Sequence, residues 1–167
     1  MKISILLPYK ENYSPQYAGA VSLFVNDITR ISSFKKNILV FGNTQSKKKL
    51  SKNYINLGLN KKIFQSTSKI YVETFLKAQG KLNTELIEVH NRPNYIKIIK
   101  QKYLNKLFLI FHNDPLTMNG SKTIKERIFL LNNVDKIIFN SKWSQNRFFF
   151  NIKNKDDLLL KTSVCYQ

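Results

Sequence analysis

Two segments, "EVHNRP" and "IFHNDP", each close a run of apolar residues with His-Asn-x-Pro, and they contain the chain's two histidines, His90 and His112. At the first corner His90, Asn91 and Arg92 bring together an imidazole, an amide and a guanidinium, a set able to hold hydroxyls or an anionic group. At the second, His112, Asn113 and Asp114 precede Pro115. A histidine leaving a very apolar strand is well placed to exchange protons or hydrogen bonds in a desolvated pocket. Turn formation by Asn and Pro explains either corner taken alone, and a structural histidine explains His112 equally well. Recurrence at equivalent places in the chain favours a functional reading. A third candidate is the small-residue run Ala18, Gly19 and Ala20, just where a helix should begin. Unpaired N–H groups and a positive dipole end there suit a phosphate, and small side chains allow it close approach. The competing reading is a tight turn in which Gly19 supplies an unusual backbone angle.

Such corners need strands and helices to hold them. "KISILLP", "NILVFG", "TELIEVH", "KLFLIFH" and "VDKIIFNS" are short, apolar and rich in β-branched or aromatic residues, as strands covered on both faces are. "YINLGL" suits a short edge strand and "DDLLLKTSVCYQ" a last strand at the terminus. Between them lie helical patterns. "AVSLFVNDITRISS" repeats Val21, Phe24, Val25, Ile28 and Ile31 at helical spacing, and "STSKIYVETFLKAQG" is capped by hydroxyls and stopped by Gly80. "NYIKIIKQKYLNK" follows Pro93, and "TIKERIFLLNN" and "SKWSQNRFFF" complete the set. Strands alternating with helices of this length predict βαβ units. The expected fold is therefore a single α/β domain over residues 1–167, a Rossmann-like doubly wound parallel sheet with helices on both faces. All strand C-termini then fall at one edge, where such sheets bind ligands. The two His-Asn-x-Pro corners should share a cleft there.

Composition excludes several classes. A single cysteine, Cys165, permits no internal disulfide, and two histidines without thiol or carboxylate spacing predict no metal site. Neither a G-x-G-x-x-G fingerprint nor a Walker loop nor a G-x-S-x-G elbow occurs. The opening apolar run breaks at Pro8, unlike a secretory signal, and no stretch approaches the roughly 18 apolar residues of a membrane span. A cytoplasmic protein is expected. The formal charge of +18 would point to nucleic acid or an anionic membrane surface. Yet only four of the 28 cations, Arg30, Arg92, Arg127 and Arg147, are arginines, and asparagine is nearly as abundant as lysine. That pairing fits an AT-rich coding bias better than selection for phosphate and base contacts, so nucleic acid is not expected as a partner. The run "KKK" reads as solvated, and Trp143 with Phe148, Phe149 and Phe150 as packing rather than a stacking platform.

The ordered set "MKISILLPY", "YAGAVSLFVNDI", "ELIEVHNRPNYI", "LFLIFHNDP" and "VDKIIFNSKWSQNRF" resembles the N-terminal domain of GT-B fold glycosyltransferases, family 4 in particular, and covers nearly the whole chain. "EVHNRP" resembles enzymes that build bacterial surface polysaccharide or lipopolysaccharide. The resemblance implies transfer of a sugar from a nucleotide-sugar donor to a glycan or lipid-linked acceptor hydroxyl, commonly with retention and with neither metal nor other cofactor. It places His112 at the reaction centre. The loop Ala18, Gly19 and Ala20 would lie near the donor phosphate or sugar, with Ala18-Gly19 where the family usually has Gly-Gly. His90, Asn91, Arg92, Asn113 and Asp114 become acceptor-binding candidates. These enzymes carry a second, C-terminal Rossmann-like domain that binds most of the donor. The present chain would be the N-terminal half, inactive alone and partnered by that missing domain. Lysines after "HNRP" could seat it on the anionic inner face of a membrane, each contributing about 1 kcal/mol near the surface. A non-catalytic binding module of the same fold is the main alternative, and a basic nucleic-acid binder the lesser one.

Overall fold

A computed structural model describes residues 1–58, 65–153 and 156–166. Seven strands form a parallel sheet in the order β3-β2-β1-β4-β5-β6-β7. These are β1 (Ile3–Leu6), β2 (Ile38–Gly42), β3 (Tyr54–Asn56), β4 (Leu86–His90), β5 (Lys106–Phe111), β6 (Lys136–Phe139) and β7 (Thr162–Val164). They alternate with α1 (Ala20–Ile31), α2 (Thr67–Gln79), α3 (Asn94–Lys100), α4 (Ile124–Asn133), α5 (Lys142–Phe148) and α6 (Asp156–Leu159). The fold is thus α/β and Rossmann-like, as the alternating pattern requires. The chain divides into two compact units, Met1–Ile87 and Glu88–Gln167.

In the first unit, β1 and β2 run parallel with Ile5 opposite Val40, and β2 and β3 with Phe41 opposite Ile55. β1 is buried along its whole length, which is why it carries no alternation. Phe41 of β2 meets Phe75 of α2 edge to face, with ring centres 5.0 Å apart. Helix α1 departs from expectation. Its buried stripe is Val21, Ser22, Val25 and Thr29, while Ile31 projects outward. Positions 21, 25 and 29 lie one above another on a helix, and small hydroxyl side chains fit that stripe, so the larger apolar residues do not define it. The lysine run is only partly solvated. Lys49 donates to the carbonyl of Thr44 at 2.7 Å and lies 5.2 Å from the centre of the Tyr54 ring.

In the second unit, Ile110 of β5 stands opposite Ile138 of β6, which stands opposite Ser163 of β7. Phe111 and Phe139 are register partners and stack at 5.5 Å, with Phe148 of α5 packed on both. Phe148 and Phe149 belong to this core as expected, but Trp143 and Phe150 are exposed. Helix α3 stops at Lys100, short of the predicted end, and leaves Leu104 90% exposed. The terminal segment begins as α6, not as a strand. Asp156 and Asp157 in its first turn complement the helix dipole, and only Thr162–Val164 enters the sheet. The predicted edge strand is realised as Tyr54–Asn56, and its final residue, Leu59, lies outside the described residues.

Candidate active site

The end of β4 and the end of β5 are tied together by Asn91. Its backbone takes the left-handed conformation, with φ of 54°, which asparagine tolerates better than most residues. From there its N–H donates to the Ile110 carbonyl at 2.8 Å, and its Oδ1 accepts the His112 N–H at 2.9 Å. This double tie brings the two imidazoles together. His90 Nδ1 and His112 Nε2 are 2.9 Å apart, and the rings stack with centres separated by 5.1 Å. His90 is fully buried and His112 only 9% exposed, so the bond is sheltered from water.

The two rings have different surroundings. Glu88 Oε2 lies 3.7 Å from His90 Nε2, beyond hydrogen-bond range but near enough to favour a proton on that nitrogen. With a proton on that nitrogen, neutral His90 would accept at Nδ1 and His112 would donate from Nε2. Asn140, just past β6, donates its side-chain N–H to the His112 carbonyl at 2.7 Å and its backbone N–H to that of Phe111. The histidine backbone is therefore held from both neighbouring corners.

Asp114 faces a different task. Its carboxylate accepts from Leu116 N–H at 3.0 Å and pairs with Arg147 of α5, at 2.9 Å to Nη2 and 3.2 Å to Nε. Burial alone would raise its pKa, but the Arg147 and Leu116 hydrogen bonds outweigh burial and hold the carboxyl below its usual range. Asn113 is exposed, with its carbonyl accepting from Ser144 Oγ at 3.4 Å. Arg92 is half-buried and folds its guanidinium onto the Asn91 carbonyl at 2.7 Å.

Of the acceptor-side candidates, then, Asn113, Arg92 and Asp114 retain exposed surface. His90 and Asn91 are buried and hydrogen-bond to His112. The loop Ala18, Gly19 and Ala20 lies in the first unit, where Gly19 begins α1 with ordinary extended geometry, φ of −80°. Its need for glycine is spatial, because a Cβ would lie 2.3 Å from Glu11 Oε1. That same oxygen accepts the Ser22 N–H at 3.0 Å. The chain's own carboxylate thus sits where a donor phosphate was expected to meet the helix.

Sequence reasoning did not single out Glu11, Glu88, Asn140 or Arg147, whose contacts shape these corners. For Asn140 and Ser141 a signal existed: "NS" ends β6 as "HN" ends the two earlier strands, and Ser141 caps α5 through the Ser144 N–H. The others owe their roles to tertiary contacts. Among the described residues no His, Cys, Asp or Glu group could hold a metal ion, and no helix is long and apolar enough to cross a membrane.

Several solved structures share this fold, the half-domain architecture of GT-B. The chain superimposes on sucrose-phosphate synthase from Thermosynechococcus elongatus with a TM-score of 0.65 and 12% identity, over 99% of its own length and 48% of that chain. It matches UDP-N-acetylglucosamine 2-epimerase from Rickettsia bellii at 0.56 and 10%, over 98% and 44%. The corresponding epimerase of Methanocaldococcus jannaschii gives 0.53 and 12%, over 98% and 45%. The chain therefore spans about half the length of these enzymes. No protein-family model matches it, nor does any curated protein sequence.

Proposed function

We propose that this chain is the acceptor-side, N-terminal half of a family 4-type hexosyltransferase. It moves a sugar from a nucleotide-sugar donor to a glycan or lipid-linked acceptor in bacterial surface polysaccharide or lipopolysaccharide synthesis, with retention. The observation that carries this reading is the buried His90–His112 pair at the ends of β4 and β5. It is an imidazole held in orientation at the edge where open parallel sheets bind ligands.

His112 presents its basic nitrogen to the reacting groups, while His90 and Glu88 act as positioning residues that keep it there. Asn113 and Arg92 contribute hydrogen-bond donors at the two corners. A second Rossmann-like domain supplies most donor contacts, and backbone and cationic donors stabilise the departing diphosphate. Neither a metal nor another cofactor takes part. Donor binding beside Gly19 requires the Glu11 carboxylate to move off the α1 N-terminus. The protein works in the cytoplasm, on the inner face of the membrane where lipid-linked acceptors are found.

The test is transfer of labelled sugar from a panel of nucleotide sugars to a membrane glycolipid extract. The chain is assayed with a donor-binding Rossmann-like domain. His112→Ala should cut turnover by about 100-fold or more while the acceptor KM changes little. Turnover equal to that of the unaltered enzyme would show that His112 is structural.

One observation favours a non-catalytic binding module instead. A carboxylate lodged on the α1 N-terminus repels a diphosphate. Under that reading no nucleotide sugar binds until Glu11→Gln removes the charge.

A further inference from the structure

The sole tryptophan of the chain, Trp143, is 59% exposed on α5 although it is the largest apolar side chain available for burial. An exposed indole is ordinarily free to reorient. This one is held: the Arg147 guanidinium lies over its ring at 5.6 Å, and Arg147 is itself fixed by two nitrogens on Asp114. Asp114 belongs to the second His-Asn-x-Pro corner, two residues from His112, and α5 is joined to that corner again through Ser144 Oγ and the Asn113 carbonyl. The guanidinium covers one side of the ring. Exposed Asn146 lies one helical turn from Trp143 along α5, and exposed Asn113 belongs to the corner that Ser144 ties to the same helix.

We propose that Trp143, held by Arg147 and Asp114, is a platform for a neutral pyranose ring of the acceptor glycan. The axial C–H face of the sugar packs on the indole and its hydroxyls reach the surrounding amides. This rests on the sugar-handling reading of the neighbouring corner. The ligand chemistry follows from the surface itself: a flat apolar face pairs with a sugar's C–H face, and amides at its margin pair with hydroxyls. Holding the ring beforehand lowers the ordering cost of binding.

Because the protein has one tryptophan, its indole emission reports this position alone. Methyl β-D-glucopyranoside and methyl β-D-galactopyranoside are titrated into the full chain, with binding followed in parallel by saturation-transfer NMR. The expected result is a saturable blue shift, with affinity reduced about tenfold in Trp143→Ala and largely retained in Trp143→Phe. Arg147→Met should weaken binding while the indole remains present. Emission unmoved by either glycoside, or equal binding by Trp143→Ala, would overturn the proposal. Nucleotide-sugar binding is read separately, from the His112 ring resonances of the same samples. Their response in Trp143→Ala shows whether the platform alone has failed or the reading of the whole corner with it.

Discussion

At the scale of single residues, the proposed chemistry depends on which nitrogen of His112 carries the proton. Glu88, His90 and His112 form a line with separations of 3.7 and 2.9 Å, along which Glu88 is proposed to bias the proton position on His112. Glu88→Gln should weaken the preference for the Nε2–H form of His112, seen as a change in its ring 15N shifts with little loss of stability. Unchanged shifts would remove Glu88 from the line. The Asp114–Arg147 pair makes a separate prediction, on stability. The folded carboxyl titrates below its unfolded value of about 3.9, so the pair stabilises the fold above that pH. That contribution is lost as pH falls through the folded pKa. Since Arg147 is more than a third exposed, the pair contributes about 1 kcal/mol. Asp114→Asn should lose this amount in urea melts at pH 7 and nothing in strong acid. An equal loss at both would mean that packing, not charge, is responsible. The histidine pair was legible in the sequence because its motif recurs. The roles of Glu88 and Arg147 were not, because each arises from a partner fixed only by tertiary packing.

At the scale of elements, the approach of the α4 entry loop to the start of α3 depends on Gly120. Its φ of 95° is in the range that favours glycine, and a Cβ would lie 2.5 Å from the Asn94 backbone nitrogen. Backbone cannot yield as a side chain can, so Gly120→Ala should destabilise the protein by more than about 2 kcal/mol. Gly19→Ala offers the contrast. Its backbone geometry is ordinary and the clashing atoms are the mobile Glu11 carboxylate, so a loss under about 1 kcal/mol is expected. Thermal or urea unfolding of both variants decides this, and equal losses would contradict it. The strands were legible because runs such as "KLFLIFH" are apolar throughout and end at a histidine, proline or glycine. The buried face of α1 was not, since Ser22 and Thr29 occupy core positions that hydropathy assigns to larger residues. The α6 turn was hidden for a different reason: Leu158, Leu159 and Leu160 carry a strand-like apolar signal, while the two preceding aspartates favour a helix start.

At the scale of the whole molecule, the +18 charge is carried almost entirely by lysines. Exposed Lys97 and Lys102 lie on a segment that also displays Leu104. If this surface rests on an anionic leaflet, Lys97→Gln with Lys102→Gln should weaken vesicle binding by roughly 30-fold at low salt, and salt should screen the difference. Sedimentation with equal recovery on neutral and anionic vesicles would contradict that placement. The fold was legible at this scale because alternation of element types determines an α/β class with little regard for exact side chains. The candidate site was legible only in part: the repeated motif pointed to the juxtaposed His90 and His112, whereas Trp143 and Glu11 had no periodic signature. The central claim, that the paired imidazoles serve a sugar-nucleotide site, is tested most directly through histidine-selective NMR of the full chain. With two histidines there are two sets of ring signals, and titration with nucleotide sugars should move those of His112, with His90 following through their shared hydrogen bond. Ring signals that stay fixed with every nucleotide sugar, in the presence of the donor-binding domain as well as alone, would contradict the account.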